Sequence, residues 1–361
     1  MNINVTKAFL PPIEEYQKYI ENIFKTVWLT NNGPLLNELE LKLKEYLSVP
    51  HMLYLSNGTV AIQIAIKALQ LKGGIITTPF SYVATTSSIV WEQCNPIFVD
   101  IDPYTFNIDP AKIEAAITST TTAILATHVF GNPCEIEAIQ TIADKYGLKV
   151  IYDAAHCFGT KYKGKSVFQY GDISTTSFHA TKLFHTVEGG AVFTNQPNLL
   201  KKMALLRNFG HTTPSTFDGI GINAKNSELH SAMGLCVLKY ANQIMVKRKE
   251  QWNYYKEKLV SLEVQFLSIT EGTDNYNASY FPVIFKTEEQ LLQSVEALNL
   301  QGIFPRRYFY PSLNQLNYVS PVSCPFSERI AKTVLCLPMY HDLSMEEQDM
   351  ISRVLLRIQN N

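Results

Sequence analysis

Ser174-Thr175-Thr176-Ser177-Phe178-His179-Ala180-Thr181-Lys182-Leu183-Phe184-His185-Thr186-Val187-Glu188-Gly189-Gly190-Ala191-Val192-Phe193-Thr194 reads as two buried strands with a lysine-bearing turn between them. A β-branched run ends at Phe178, Lys182 follows, and Gly189-Gly190 opens the second run. Burying a lysine disfavours its charged form and pulls its pKa down, and an unprotonated lysine can form a Schiff base. A lysine taken singly more often lays its stem on the surface and keeps its head in water. The company upstream of Lys182 favours the buried reading.

Leu148-Lys149-Val150-Ile151-Tyr152-Asp153-Ala154-Ala155-His156 reads as a strand running into an acid. Asp153 then sits at a strand's C-terminal end, where open α/β sheets place their ligands. A lysine Schiff base with a carboxylate on the pyridine nitrogen is the pairing that pyridoxal phosphate requires. Asp153-Ala154-Ala155-His156, Ser177-Phe178-His179-Ala180-Thr181-Lys182 and Glu188-Gly189-Gly190, in that order, resemble the DegT/DnrJ/EryC1/StrS family of pyridoxal-phosphate sugar aminotransferases, over essentially the whole chain. The resemblance implies an α/β fold of the aspartate-aminotransferase type (fold type I). Residues 1–235 would form a large domain on a mainly parallel sheet, and residues 236–361 a smaller α+β domain reached through a long connecting helix.

Bulk properties agree with such an enzyme. A chain of 361 residues exceeds what one core usually supports, and 46% apolar residues is ordinary for a globular protein. A formal charge of −1, with acids and bases interspersed, offers no electrostatic footprint for nucleic acid or an anionic membrane. Six cysteines without C-x-x-C or metal-like spacing point to buried, reduced thiols. Met1 to Lys7 lacks the basic and apolar regions of a signal peptide, and no apolar run approaches about twenty residues. A cytoplasmic protein is expected, with no metal.

Taken in order, Pro11 to Lys25 and Leu35 to Leu47 read as helices either side of an Asn31-Asn32-Gly33-Pro34 turn. His51 to Leu55 reads as a strand, and Ser56-Asn57-Gly58-Thr59 opens the helix from Val60 to Leu69. A helix start offers free N–H groups and a positive dipole end to an anion. Alone this is a routine cap; the resemblance assigns Gly58 and Thr59 to the cofactor phosphate. After the strand from Gly74 comes Phe80-Ser81-Tyr82-Val83-Ala84-Thr85-Thr86, in which the resemblance makes Tyr82, rather than Phe80, the aromatic stacked on the cofactor ring. Asp100, Asp102 and Asp109 follow a further strand, and without a His or a further acid beside them they read as turn and cap residues. Strand and helix alternate as far as Thr194, the pattern of a doubly wound parallel sheet. Leu229 to Leu262 reads as one long helix, and short strands and helices follow.

Further roles come from the resemblance. Asp153 would keep the ring nitrogen protonated, Ala155 would pack under the ring, His156 would face its phenolic oxygen and Ser177 would be a second phosphate ligand. Asn223, in Gly221-Ile222-Asn223, would reach the phosphate held by a partner subunit, so that a homodimer shares its active sites. From the residues alone, His156 reads more readily as a core histidine, and Asn223 as an exposed polar turn before a helix. His185, Arg306, Arg307 and Tyr308 are candidates for substrate contact, although two arginines among aromatics also describe a solvated edge.

The implied activity is transfer of an amino group from L-glutamate to a nucleotide-linked keto-deoxysugar, through Lys182 as Schiff-base amine and proton carrier. Family members with histidine at the lysine position act as dehydratases, so Lys182 points to amination. Leu183-Phe184-His185-Thr186-Val187 departs from the family's commoner Asn-Leu-Thr-Thr-Gly. With Arg306 to Pro311, it most resembles the transaminases that act on dTDP-4-dehydro-6-deoxyglucose. A 3-keto sugar is the neighbouring alternative, and a cofactor-binding regulator without turnover is an alternative of another class.

Overall fold

The structure, a computed structural model, describes residues 2–359. Its centre is a seven-stranded sheet in the order Met52–Leu55, Gly190–Phe193, Ile173–Ser177, Lys149–Asp153, Thr121–Thr127, Gly73–Thr77 and Cys94–Phe98. Helices cover both faces, so the inner strands are largely buried on both sides, with hydroxyl residues in Ile173–Ser177 and Thr121–Thr127 among the buried ones. Gly190–Phe193 runs antiparallel to both of its neighbours, whereas the other pairings are parallel. A parallel return from Ser177 would need a crossover; the chain makes a helix-free loop there instead. The strand reverses, and the loop that reverses it carries Lys182.

The strands' C-terminal ends collect the chemistry. Asp153 and Ser177 are themselves strand-terminal residues, and Gly58 begins the helix Gly58–Ala68 shortly after Leu55. That helix buries Ala61, Ile62, Ile64, Ala65, Ile66 and Ala68 between the sheet and the helices Val83–Trp91 and Pro197–Arg207. Val83–Trp91 was not expected from the sequence. Its run of Thr and Ser has weak helix propensity, and packing against neighbours supplies what propensity does not.

A second lobe surrounds an antiparallel sheet in which Phe281–Ile284 lies between Gln265–Phe266 and Val334–Leu337. The expected division at 235/236 falls inside the helix Glu228–Leu238. The expected long connecting helix is two helices, since the chain breaks at Lys239 and Tyr240 and resumes as Ala241–Lys258. Along this second helix the cores change over: Ala241 and Ile244 pack in the large lobe, Tyr255 in the small one. The chain's beginning also belongs to the small lobe, because Ile3–Asn4 pairs in parallel with Ile303–Phe304 and Ile3 enters that core.

Asp102 and Asp109 cap local turns as expected, accepting from Thr105 N and Ala111 N. Asp100 reaches further: its carboxylate accepts from Phe326 N, Ser327 N and Ser327 Oγ at 2.7–2.9 Å, which caps the small-lobe helix Pro325–Thr333. Asp100→Ala leaves buried donors at this helix start unpaired and costs about 2–3 kcal/mol. A corresponding drop in thermal midpoint checks this, with Asp102→Ala as a milder control.

Candidate active site

A cavity of about 260 Å³ opens at the C-terminal edge of the sheet, and both lobes line it. From the large lobe come Gly58, Thr59, Ser81, Tyr82, Asp153, Ala155, His156, Ser177, His179, Lys182 and Glu188. From the small lobe come Tyr280, Arg306, Tyr308 and Phe309.

Asp153 is buried and organised by donors. Thr85 Oγ1 donates to Oδ2 at 2.7 Å, and the Ala155 amide donates to Oδ1 at 3.2 Å. Behind Thr85, Ser81 Oγ lies 2.8 Å from Thr85 Oγ1 and 3.0 Å from Thr127 Oγ1, so a chain of buried hydroxyls fixes the carboxylate. Burial pushes the carboxyl above its ordinary pKa, while Thr85, the Ala155 amide and the charge of Lys182 pull it back. On Lys182 burial acts in the other sense and lowers its pKa to about 8, against the opposing pull of Asp153. The two groups line the same cavity, Asp153 buried and Lys182 half-buried.

The loop around Lys182 is bonded to itself. Phe178 N donates to Gly189 O, Thr186 N to Phe178 O, Ala180 N to Val187 O, and Lys182 N to His179 O. Opposite lies the helix start at Gly58, where Asn57 Oδ1 accepts from Val60 N. The first amides of a helix have no intrahelical acceptor, and those of Gly58 and Thr59, which line the cavity, have none among the described residues. A Cβ on Gly58 would stand 2.9 Å from Ser177 Cβ, and one on Gly190 would stand 2.4 Å from the Asn57 carbonyl carbon. The glycines let these turns close into a cradle.

The pyridoxal phosphate implied by the sequence fits these residues. A cradle of amide N–H groups and the Ser177 hydroxyl suits a phosphate, a buried carboxylate suits a protonated ring nitrogen, and an amine of lowered pKa suits an aldehyde. Tyr82 is 56% exposed and lines the cavity, whereas Phe80 is in the core at 0%. His156 lies parallel to Phe309, with ring centroids 5.8 Å apart, and its buried Nδ1 is without a partner among the described residues. Burial and then the charge of Lys182 hold the imidazole neutral, well below its usual pKa.

Three of the expected residues are not brought to the cavity. His185 is a correction: the imidazole is buried beneath the loop, bonded to Phe9 O and Val187 N, and meets no substrate space. Arg307 is likewise engaged elsewhere, by Glu288 at 2.6 Å, Lys332 O at 3.0 Å and the Tyr310 ring. Arg306 lines the cavity, over the Tyr308 ring. Asn223 lies outside the cavity of its own chain, in a bridge with Asn208. Sequence reading missed His179 and Glu188, which face each other at 3.6 Å, and the Ser81–Thr85–Thr127 hydroxyls. His179 and Glu188 sat inside the quoted motifs; Tyr280 had no local signal at all. Among the described residues no cluster of His, Cys, Asp and Glu is placed to hold a metal ion.

Two outcomes follow from this electrostatics. Thr85→Val removes the donor to Asp153 Oδ2 and weakens pyridoxal phosphate binding about tenfold in a spectroscopic titration. Only the neutral amine of Lys182 attacks an aldehyde, so capture of the cofactor by apo protein rises with pH up to about 8 and then levels. Below that pH the initial rate falls about tenfold per unit, as the growth of visible absorbance would report.

The model of the DegT/DnrJ/EryC1/StrS aminotransferase family matches residues 12–356. A dTDP-4-amino-4,6-dideoxy-D-glucose transaminase of Shigella dysenteriae is 42% identical over 350 residues, 95% of each chain. DesI, solved in the presence of its TDP-sugar product, superposes with a TM-score of 0.93 at 29% identity, over 99% of this chain and 93% of its own. NtdA of Bacillus subtilis, solved with bound cofactor PMP, does so with a TM-score of 0.90 at 28% identity, over 97% and 82%. Aminotransferases of this kind depend on pyridoxal phosphate, and the fold is the mixed α/β, mainly parallel architecture that they share. With the match running almost from end to end over a cavity that suits this cofactor, the chain belongs to the DegT/DnrJ/EryC1/StrS aminotransferase family.

Proposed function

We propose that the protein transfers an amino group from L-glutamate to a nucleotide-linked keto-deoxysugar, and that this sugar is dTDP-4-dehydro-6-deoxyglucose. The product would be dTDP-4-amino-4,6-dideoxyglucose, a precursor for surface polysaccharide. The observation that carries the reading is the pairing of Lys182 and Asp153 in one cavity, each with its pKa shifted by burial and by the other's charge. The name of the Shigella relative and the TDP-sugar product of DesI support the substrate.

Pyridoxal phosphate, when bound, supplies the aldehyde and the electron-withdrawing ring. Lys182 would hold it, and once displaced by the donor's amine would carry a proton on Nζ, a task suited to a pKa of about 8. Asp153 would face the ring nitrogen, Gly58, Thr59 and Ser177 the phosphate, Tyr82 and Ala155 the ring faces, and His156 the phenolic oxygen. Arg306 and Tyr308, at the small-lobe side of the cavity, would meet the substrates' anionic groups.

The chain would work as a cytoplasmic homodimer. Phe24, Val27 and Trp28 on one side and Phe217 and Ile220 on another are exposed at 50–90%, more apolar surface than a solitary chain comfortably shows. Asn223, near the second patch, would then serve the partner's phosphate. No helix among the described residues is long and apolar enough to cross a membrane.

The test is an absorbance spectrum of the holoenzyme. L-glutamate is expected to abolish the visible band and dTDP-4-keto-6-deoxyglucose to restore it. Loss without restoration keeps the transaminase and rejects this sugar, leaving a 3-keto sugar as the next to add. Lys182→Ala is expected to lower turnover by at least about a thousandfold; turnover at the native rate would overturn the role of Lys182.

A further inference from the structure

His185 is 1% exposed in the loop that carries Lys182. Its Nδ1 accepts from the Val187 amide at 3.2 Å, which leaves the ring proton on Nε2, 2.7 Å from the Phe9 carbonyl oxygen. Both nitrogens are used, and only the neutral Nε2–H form satisfies both bonds. Burial favours that neutral form.

What it holds at each end is specific. Val187 has φ 67°, a left-handed conformation poorly suited to a β-branched side chain. Its amide is taken by His185, and its carbonyl accepts at 2.8 Å from Ala180 N, two residues before Lys182. Phe9 ends a strap that starts in the small lobe and crosses onto the large one, where its ring packs against the large-lobe core beside Tyr240, with centroids 5.1 Å apart. Ile3 and Asn4 pair with Ile303 and Phe304, Met339 N donates to Val5 O at 3.1 Å, and the Phe9 ring meets His341 edge-on at 4.7 Å. The small lobe brings Arg306 and Tyr308 to the cavity.

We propose that His185 is a positioning residue for Lys182: it ties the lysine's loop to the N-terminal strap that runs in from the small lobe, so that the amine and the substrate-facing lobe are set relative to each other. The inference rests on Lys182 being the amine that captures pyridoxal phosphate. It is independent of which sugar is aminated.

Asn and Gln each retain one half of the imidazole. His185→Asn places an oxygen near the Nδ1 position and keeps the Val187 bond; His185→Gln places an amide near the Nε2 position and keeps the Phe9 bond; His185→Phe keeps neither. Two readouts serve: the rate at which apo protein gains visible absorbance on adding pyridoxal phosphate, and amide hydrogen exchange by peptide. For His185→Phe we expect capture about tenfold slower, with exchange faster by about tenfold in residues 2–10 and 178–189 and unchanged in the strands 121–127 and 149–153. His185→Asn should loosen the strap while sparing the loop, and His185→Gln the reverse, so these two carry the test even where the Phe variant does not fold. Native capture and exchange in all the folded variants would overturn the proposal. So would exchange that rises evenly across the chain, since that is mere loss of stability. Failure of Lys182→Ala to abolish capture would instead overturn the reading beneath it.

Discussion

The chemistry at this site depends on a partly buried amine and a buried carboxylate that line the same cavity and shift each other's protonation. Desolvation presses Lys182 down towards neutrality and Asp153 up towards its protonated form. Each charge offsets part of the other's cost, and the hydroxyl of Thr85 with the Ala155 amide offsets more of it at Asp153. The result is a lysine poised within reach of neutral pH and a carboxylate held in place by donors. Both shifts rest on burial as their leading cause. The architecture around the pair is therefore an architecture of exclusion.

Aromatic rings do much of that excluding. Phe80 sits among Phe106, Phe130 and Phe309 at centroid distances of 5.6–6.2 Å, and Phe130 and Phe309 stack at 5.7 Å with nearly parallel planes. Tyr280 and His156 extend the same seam to the cavity wall. Such pairs contribute about 0.5–1.5 kcal/mol each beyond their buried area. The seam joins large-lobe residues to small-lobe residues, with Asp100 capping a small-lobe helix beside it. The lobe that brings Arg306 and Tyr308 to the mouth of the cavity is thus locked to the lobe that holds Lys182.

The residues that were legible and those that were not differ in how far apart their partners lie in sequence. Lys182 and Asp153 could be singled out because strand ends are local patterns, whereas Ser177 and Gly58 came with the family resemblance. The cradle they form needed the strand order. His185 was misplaced because proximity to Lys182 along the chain suggested the pocket, whereas the reversed loop turns that side chain inward to Phe9. Arg306 and Arg307 are adjacent and chemically identical, yet alternate sides of an extended segment separate them, and Glu288 engages one of the two. Helix Val83–Trp91 carries too many β-branched and hydroxyl residues to announce itself.

By itself the sequence determined the strand–helix alternation, the lysine-bearing turn with its acid upstream and the glycine-bearing turns, because periodicity, burial cost and backbone freedom act over a few residues. Tertiary structure alone decided the reversal of Gly190–Phe193, the return of the N-terminal strap to the small lobe, the hydroxyl chain behind Asp153 and the side to which each arginine and histidine turns. Those depend on which distant surfaces meet and on which polar groups must find a partner once water is gone.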